Sequence, residues 1–310
     1  MILCAGEALI DMLPRVTTAE EPCFAPVAGG AVFNTAIALG RLETPVKFFT
    51  GLSTDLFGQK LSQALTASGV DAGLCARADR PCTLAFVELV GGQARYAFYD
   101  EGTAGRMLDA ADLPDETALD GVAALFFGGI SLVVEPCGSA YEALAAREQA
   151  RRLVMVDPNI RPGFIRDEAA YRARVGRMIA MADIVKVSDE DLHWIAGPGD
   201  TATLAEGLLD QGPKLVCITE GPKGVTGYMP GRRISVAGEP AVVVDTVGAG
   251  DTFNAGLLAG LHRAGFLDKA GLAEIDASAL EDALRLGNRA AAVTVARAGA
   301  NPPTAAELGL

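Results

Sequence analysis

Short apolar runs rich in β-branched residues alternate with longer segments of helical periodicity along most of the chain. The short runs predict strands at 46–50, 124–127, 153–157, 184–187 and 215–219, and the longer segments predict helices at 56–68, 136–150, 168–182 and near 203–209. Strand followed by helix, repeated, is typical of a mostly parallel sheet covered by helices on both faces. Such sheets bind ligands beyond the carboxyl ends of their strands, so the loops that follow strands are where chemistry is expected.

Two segments, 11–28 and 81–100, interrupt this alternation because they hold strand-like runs without an intervening helix. In the second segment the dipeptide Gly91-Gly92 separates two such runs and predicts a hairpin turn. We expect the two segments to form one small antiparallel sheet, inserted as a lid into a single domain spanning 1–310. Periodicity leaves open the alternative that they extend the main sheet.

Composition and charge exclude several classes of function. Half of the 310 residues are hydrophobic, which fits a well-buried α/β enzyme and argues against disorder. The formal net charge of -13 argues against a nucleic-acid partner, because a surface that follows a phosphate backbone needs a basic face. An acidic protein that binds an anion must use local devices such as backbone amides, a helix end, a metal ion or a few placed cations.

The six cysteines are scattered without a C-x-x-C pair, and the chain has two histidines, so a zinc site is not expected. Reduced thiols packed as small hydrophobic groups are the expectation for a cytosolic protein. The N-terminal run MILCAGEALIDMLP lacks the basic start of a signal peptide, and no apolar run is long enough to span a membrane. We therefore expect a cytoplasmic protein without a membrane partner.

The segment 241–260, AVVVDTVGAGDTFNAGLLAG, carries the strongest chemical signal. It predicts a buried strand at 241–244, a tight turn at Gly248-Ala249-Gly250, and a helix of small and apolar residues. Glycines let the backbone turn with its N–H groups outward, and the helix start adds a partial positive charge. These features together favour a site for an anion, or for the charge that develops on a transferring phosphoryl group.

Asp251 projects from the same turn. A carboxylate beside such an anion site is suited to accept a proton from an attacking hydroxyl group. The alternative is that Asp251 only caps the helix, which is the better interpretation of an isolated G-x-G-D sequence. The loop is not a Walker A motif, because the chain has no G-K-[ST], and it lacks the dinucleotide fingerprint G-x-G-x-x-G.

The run DTVGAGDTFNAG closely resembles the C-terminal signature of the ribokinase-like (PfkB-type) sugar kinases, and GGAVFNTAIALGRL with GLSTDLFG resembles their N-terminal signature. Other ordered motifs resemble bacterial fructokinases: GEALIDMLP, YAFYDEGTAGRML, DPNIRP, KVSDEDL and TEGPKG. The resemblance covers essentially the whole chain. It implies a three-layer α/β/α sandwich with a mostly parallel central sheet and a small antiparallel β-sheet lid. It also implies an ATP-dependent carbohydrate kinase in which Asp251 is the catalytic base and Gly248, Ala249 and Gly250 form the anion hole.

The same resemblance implies a sugar site between the lid and the main body. Its substrate-binding residues are Asp11, Gly29, Gly30, Asn34, Phe98, Tyr99, Arg161 and Asp251. The residues alone permit plainer interpretations: ordinary turns for the glycines and the first aspartate, solvent exposure for the asparagine and arginine, and simple packing for the aromatic pair.

The nucleotide and metal sites are also implied by the resemblance. The nucleotide would contact Ser188, Thr219, Gly221, Gly224 and Asn288. Mg²⁺ would be reached through water by Asp191, which departs from the Glu that the family commonly has at this position. K⁺ would bind Asp245 and the backbone of Val247, although Asp245 would serve equally as a residue that ends a strand and bonds turn amides.

D-fructose is the first substrate prediction, and 2-keto-3-deoxygluconate is the runner-up. The acidic Asp100 on the predicted lid favours a neutral sugar, because it would repel an anionic substrate. A nucleoside kinase is a weaker alternative because few aromatic residues are available to stack a base. A non-catalytic sugar-binding protein on a kinase scaffold remains an alternative of a different class. Free edges of a lid sheet also suggest a homodimer formed through the lid.

Overall fold

The protein is described by a computed structural model that covers residues 1–90 and 93–310. Its strands, in chain order, are β1 (Ile2–Ala5), β2 (Leu9–Val16), β3 (Pro22–Gly29), β4 (Val46–Phe49), β5 (Gly51–Ser53), β6 (Ala76–Ala78), β7 (Leu84–Val90), β8 (Gln93–Tyr99), β9 (Ala124–Gly128), β10 (Leu153–Asp157), β11 (Ile184–Ser188), β12 (Leu215–Thr219), β13 (Gly224–Met229) and β14 (Arg232–Ala237). Its helices are α1 (Ala31–Arg41), α2 (Leu56–Ala67), α3 (Cys137–Glu148), α4 (Glu168–Met181), α5 (Asp189–Ala196), α6 (Thr201–Leu209), α7 (Ala249–Arg263), α8 (Lys269–Glu274) and α9 (Ala277–Val295).

An eight-stranded sheet forms the centre, in the order β14-β13-β12-β11-β10-β9-β1-β4. The strands from β4 to β12 in this order pair in parallel, and β13 and β14 continue the sheet antiparallel at one edge. The pairing is in register across the middle of the sheet, where Cys4 stands opposite both Phe48 and Phe126. The strand and helix alternation of the sequence therefore corresponds to a mostly parallel sheet, as predicted.

Both faces of the parallel part of the central sheet are buried, which explains why its strands are apolar at nearly every position rather than at every second one. Along β1, Ile2 and Cys4 belong to one hydrophobic cluster, with side chains from α1, α2, α7 and α9. Leu3 and Ala5 point to the opposite cluster, which includes side chains from α3, α4, α5 and α6. The result is three layers, helices on sheet on helices, which confirms the predicted fold class.

The lid is a separate four-stranded sheet in the order β3-β2-β7-β8. Its two hairpins, β2 with β3 and β7 with β8, are antiparallel, and a parallel pairing of β2 with β7 joins them. The alternative that the two chain excursions extend the main sheet is therefore wrong. The predicted turn at Gly91-Gly92 lies outside the described residues. The single domain with an inserted lid, over 1–310, stays a prediction.

The predicted buried strand at 241–244 is wrong. Among the described residues this segment pairs with no strand, and Val242 is 83% exposed, with Val243 and Val244 more than half exposed. The N–H groups of Val244 and Asp245 both donate to the carbonyl oxygen of Val295 at the end of α9. A run of valines is typical of a strand, but without a neighbouring strand to pair with it stays as extended chain on the surface.

In the described residues no helix is both long enough and apolar enough to cross a membrane. The six cysteine thiols are free; Cys23 is half-buried and the others are buried. Burial raises the pKa of the thiols of Cys75, Cys82, Cys137 and Cys217 to about 12, so these groups pack as neutral side chains. A cytoplasmic location stays a prediction of the sequence.

Candidate active site

A cavity of about 240 Å³ lies at the carboxyl ends of the central strands, between the main body and the lid sheet. Ten of the predicted site residues line it: Asp11, Gly30, Asn34, Phe98, Arg161, Val247, Gly248, Ala249, Gly250 and Asp251. The chain segments that supply them come from β2, α1, β8, the loop after β10 and the start of α7. The topology thus brings together residues that are more than 200 positions apart in the sequence.

The glycine turn stands at the start of α7, with Gly248 as the N-cap in the left-handed region at φ 78°. A Cβ atom at Gly248 would lie 2.7 Å from the Cβ atom of Ala300, so glycine is required here for both conformation and space. The first N–H groups of a helix have no intrahelical acceptor. One of these groups, the N–H of Ala249, donates to the carbonyl oxygen of Thr246 at 3.3 Å. An anion site formed by the helix start and its dipole on the wall of the cavity stays a prediction.

The Asp251 side chain is buried, with 7% of the residue exposed, and lies on the first turn of α7. Its Oδ2 atom accepts a hydrogen bond of 2.9 Å from Nδ2 of Asn34. Burial raises the pKa of the Asp251 carboxyl group to about 7, and the hydrogen bond from Asn34 opposes that rise. In the described part of the chain this carboxylate accepts no bond from a helix amide, so the geometry does not support a role as a simple helix cap.

The start of α1 approaches the cavity through two glycines. Gly30 has φ 110°, and a Cβ atom there would lie 2.9 Å from the carbonyl oxygen of Glu7. A Cβ atom at Gly29 would overlap the carboxylate of Asp11, so Gly29 makes room for that side chain although it does not line the cavity itself. Asn34 is 9% exposed and points inward, so the solvent-facing interpretation is wrong.

Two further carboxylates line the cavity beside Asp251. Asp11 belongs to the lid strand β2 rather than to the end of the first strand, and burial raises its pKa to about 6. Glu7, which follows β1, was not predicted as a site residue. Its side chain accepts hydrogen bonds from the N–H groups of Ala31 at 2.9 Å and Ser131 at 3.2 Å, and burial raises its pKa. Glu7 thus braces the start of α1 against the loop after β9.

The prediction for the aromatic pair on the lid is wrong in one of its two residues. Successive side chains of a strand point to opposite faces, so Phe98 and Tyr99 cannot share a face. Phe98 lines the cavity together with Tyr96, which stacks on it at 5.8 Å between ring centroids. Tyr99 points to the outer face of the lid, where its ring packs against Phe86 and is 63% exposed.

Arg161 contributes a cation to the lining of the cavity from the loop after β10. Its Nη1 atom donates to the carbonyl oxygens of Asn159 at 3.3 Å and Ile160 at 3.0 Å, which leaves the other guanidinium N–H groups for a ligand. Asn159, at a positive φ of 44°, also lines the cavity and was not predicted.

The predicted nucleotide residues lie outside this cavity. Ser188 and Thr219 stand opposite each other at the carboxyl ends of β11 and β12, and Gly221 and Gly224 follow in the turn to β13 with φ values of 54° and 104°. They therefore form a group at the same edge of the sheet. Asn288 is buried on α9, where its Nδ2 donates to the carbonyl oxygens of Val236 and Ala237 in β14.

The predicted metal residues are largely engaged by backbone groups. Asp191 is half-buried on the first turn of α5, and its Oδ1 accepts a bond of 3.2 Å from the N–H of Ile160. Asp245 accepts from the N–H of Val247 at 3.0 Å and from that of Gly299 at 2.9 Å. In the described residues no cluster of three or more His, Cys, Asp or Glu side chains is arranged to hold a metal ion.

The argument from Asp100 against an anionic substrate does not hold. Asp100 is 5% exposed and does not line the cavity. Its carboxylate pairs with the guanidinium of Arg106 at 3.0 Å, so its charge is compensated locally. Discrimination between a neutral and an anionic sugar must therefore come from the groups that do line the cavity, which are the three carboxylates and Arg161.

Comparison with known proteins agrees with this architecture. The chain matches a family model described as pfkB family carbohydrate kinase over residues 1–307. A fructokinase from Rhizobium leguminosarum bv. trifolii is 57% identical over 282 residues, which are 91% of this chain and 86% of the relative. A fructokinase from Xylella fastidiosa with bound ATP superposes with a TM-score of 0.89 at 28% identity, over 96% of this chain and 93% of that one. A double-mutant fructokinase from Vibrio cholerae O395, in a form with fructose, ADP and a potassium ion, gives a TM-score of 0.84 at 26% identity over the same shares.

The chain belongs to the pfkB family of carbohydrate kinases. This finding confirms the predicted family, the predicted fold class and the predicted enzyme class, an ATP-dependent kinase that phosphorylates a sugar. The roles of individual site residues stay predictions, now with known positions.

Proposed function

We propose that this chain is a fructokinase, which transfers the γ-phosphoryl group of ATP to a hydroxyl group of D-fructose. The observation that carries the proposal is the position of Asp251, a buried carboxylate beside a glycine turn at a helix start, facing a cavity under a lid. The substrate is supported by the relatives named fructokinase, of which the one from Rhizobium leguminosarum bv. trifolii is 57% identical.

Asp251 has the properties of a general base for this reaction. With a pKa of about 7 it is ionised in a large fraction of molecules at neutral pH, and still basic enough to accept a proton in the transition state. Asn34 holds one of its oxygens, so the other oxygen is free to face the sugar hydroxyl. As the bond from the sugar oxygen to the γ-phosphorus forms and the bond to the ADP oxygen breaks, the hydroxyl proton passes to Asp251.

Two groups on the cavity wall stabilise the negative charge of the phosphoryl group during transfer. The N–H groups at the start of α7 point at the position next to Asp251, where they act without reorganisation during transfer. Arg161 adds a guanidinium, the group best suited to phosphate oxygens. The carboxylates of Asp11 and Glu7, which also line the cavity, are the proposed acceptors of hydrogen bonds from sugar hydroxyls.

The nucleotide is proposed to lie along the ends of β11 and β12, next to the anion turn. Ser188 and Thr219 there present hydroxyl groups, and Gly221 and Gly224 leave the backbone open to a close approach. Asn288 serves this site indirectly, because its amide nitrogen ties α9 to the end of β14.

Mg²⁺ is proposed as the ion that neutralises charge on the β- and γ-phosphates. The donor set fits this use, because Mg²⁺ in such sites is held mainly by phosphates and water rather than by a protein cage. Asp191 has one carboxylate oxygen bonded to the N–H of Ile160, and the other is the expected partner of a metal-bound water. K⁺ is proposed near Asp245 and Val247, supported by the potassium-bound Vibrio cholerae structure. Replacing K⁺ by a quaternary ammonium ion in the assay tests that part.

A homodimer through the lid is proposed as the assembly. The outer face of the lid sheet exposes the aromatic side chains Phe24, at 48%, and Tyr99, at 63%, which is unusual for a surface that meets water alone. We expect a dimer by light scattering, and dissociation when Phe24→Glu places a charge there. Val242→Glu, at an exposed valine away from the lid, is the matched control and should leave the mass unchanged.

The deciding experiment is a coupled ADP-release assay with ATP and Mg²⁺ across fructose, ribose, tagatose, 2-keto-3-deoxygluconate, adenosine and fructose 6-phosphate. Turnover with fructose well above the others supports the proposal. Preference for the keto-deoxy acid would keep the kinase mechanism and reassign Arg161 to a substrate carboxylate. Sugar binding without turnover would instead indicate a non-catalytic sugar-binding protein.

The role of Asp251 has its own test. Asp251→Asn, which keeps the shape of the side chain, should lower kcat by about 10²–10⁴ while fructose binding by calorimetry changes little. Asp268→Asn is the control, because Asp268 also stands at a helix start but is exposed and only caps α8. If Asp251→Asn keeps most of its activity, the general-base assignment is wrong.

A further inference from the structure

An ion pair is buried directly behind the glycine turn. Asp157 ends β10 and Lys186 lies within the neighbouring strand β11; they are 2% and 4% exposed, and Oδ2 of Asp157 is 3.0 Å from Nζ of Lys186. The neighbouring positions of β11 are apolar and buried, so the lysine is an exception in its own strand. Neither residue has a role in the transfer step proposed above.

The carboxylate of this pair is also tied to the helix that carries the catalytic base. Oδ2 of Asp157 accepts a second hydrogen bond, of 2.7 Å, from Nδ2 of Asn254, which lies one turn after Gly250 on α7. Its Oδ1 accepts from the N–H of Asn159 in the loop that carries Arg161. Asp157 therefore fixes the ammonium of Lys186 relative to α7 and to the cavity wall.

The ammonium lies against the backbone of the glycine turn. A Cβ atom at Gly250 would be 3.0 Å from Nζ of Lys186, which means that the absence of a side chain at Gly250 lets the charge come this close. Lys186 has three N–H donors, and in the described residues its one hydrogen bond is the one to Asp157. Its positive charge is thus held in a region of low dielectric, where it acts strongly on neighbouring groups.

A buried ion pair contributes little to stability, because desolvation of two charges offsets most of their attraction. An apolar pair would fill the same space without that penalty. The pair is therefore better explained by its position, immediately behind the glycine turn where phosphoryl transfer is proposed to take place.

We propose that the Lys186 ammonium is a fixed positive charge of the phosphoryl-transfer centre, held behind the Gly248–Asp251 turn by Asp157, and that it acts through space on Asp251 and on the transferring phosphoryl group. The inference rests on the proposed kinase function. Asp157 is then a positioning residue: it holds the ammonium in place and prevents it from moving to the Asp251 carboxylate itself.

Several groups face Asp251 besides this pair. Asn34 on α1 donates to it, and Arg161 in the loop after β10 is a second cation; both lower the pKa of Asp251. Within the buried pair the two charges act in opposite directions: Asp157 raises the pKa of Asp251, and Lys186 lowers it. The carboxylates of Asp11 on β2 and Glu7 after β1 also line the cavity, whereas Asp191 on α5 and Asp245 before α7 are not part of its lining.

The test uses the opposite signs of the two charges. Lys186→Met should move the acidic limb of the pH profile of kcat/KM for fructose to higher pH, and Asp157→Asn should move it to lower pH, each by about one pH unit, a tenfold change in proton affinity. The double variant should lie near the wild type. Both single variants remove the same ion pair, so a merely structural role would move the limb in the same direction in both variants, or would move it in neither.

The controls use another ion pair of the chain. Asp183 and Lys269 form a partly buried pair of 2.6 Å, and Asp183→Asn and Lys269→Met should leave the acidic limb unchanged. The titration of ATP is common to every variant and cancels in the differences. If Lys186→Met does not fold by thermal melting, Asp157→Asn decides: a downward shift supports the inference, and no shift or an upward shift overturns it.

The two levels of the proposal fail in different ways. If the wild type turns over no sugar of the panel, the proposed function is wrong and this inference falls with it. A different outcome is that the wild type phosphorylates fructose, while the two single variants shift the acidic limb in the same direction or do not shift it at all. The proposed kinase function is then retained, and the role of Lys186 is refuted.

Discussion

Replacing Asn34 by leucine removes the hydrogen bond that stabilises the ionised form of Asp251 and keeps a side chain of similar size. The lost bond is 2.9 Å long, buried, and made to a carboxylate. Hydrogen bonds to charged groups contribute about 1.5–3 kcal/mol, which corresponds to about one to two pKa units. The pKa of Asp251, about 7 in the wild type, should therefore rise by that amount.

Because the base must be ionised to act, the loss falls on the low-pH side of the profile. At pH 7 the activity of Asn34→Leu should drop by about 10- to 100-fold relative to its own high-pH plateau, compared with about twofold in the wild type. The assay measures kcat against pH at saturating fructose, so that a lower affinity for the sugar does not affect the measured rate. Thr35→Val is the control, since Thr35 Oγ1 donates to the backbone oxygen of Asp251 and not to its carboxylate. An unchanged limb in Asn34→Leu would refute the reasoning.

Three further predictions concern the cavity wall. Gly248→Ala forces a left-handed backbone onto alanine and should lower kcat at least tenfold and stability by about 1–2 kcal/mol, whereas Gly207→Ala, inside α6 with open space, should do neither; kinetics and thermal melting measure both. Tyr96→Ala should raise KM for fructose about 2- to 12-fold through a lost aromatic contact, and Tyr99→Ala, on the outer face, should leave KM unchanged. Glu7→Gln keeps one acceptor oxygen but places an amide donor against one of the two backbone N–H groups that bond to Glu7, so we expect a higher KM and a stability loss of about 1–3 kcal/mol by denaturant titration.

The sequence predicts best those strands that are buried on both faces, because only a continuous apolar run can occupy such a position. The strand at 153–157 has the predicted bounds, Leu153–Asp157, because an apolar run buried on both faces ends where polar residues begin. The same holds for Leu215–Thr219. The glycine turn at the start of α7 is also predictable from local chemistry, because a left-handed Gly248 and a helix start need no distant partner to form.

The parts that were wrong or missed depend on pairing across the fold. Whether 241–244 forms a strand depends on a neighbouring strand, and none pairs with it in the part of the chain that the structure describes. Which of Tyr96 and Tyr99 faces the cavity depends on the side of the lid sheet that covers the body. Two features of the sequence point to site residues that the motifs do not include: Glu7 closely follows the first strand, and Lys186 is a cation inside an apolar strand.

The acidic lining of the cavity also bears on how the reaction ends. Glu7, Asp11 and Asp251 face a neutral sugar at the start, and they then serve as hydrogen-bond acceptors without an electrostatic penalty. After transfer the bound molecule carries a phosphate group, and Asp251 has taken the hydroxyl proton and no longer repels it. Arg161 and the start of α7 then attract the phosphate while Glu7 and Asp11 repel it, so the balance of these charges, and not the carboxylates alone, sets how tightly the sugar phosphate is held.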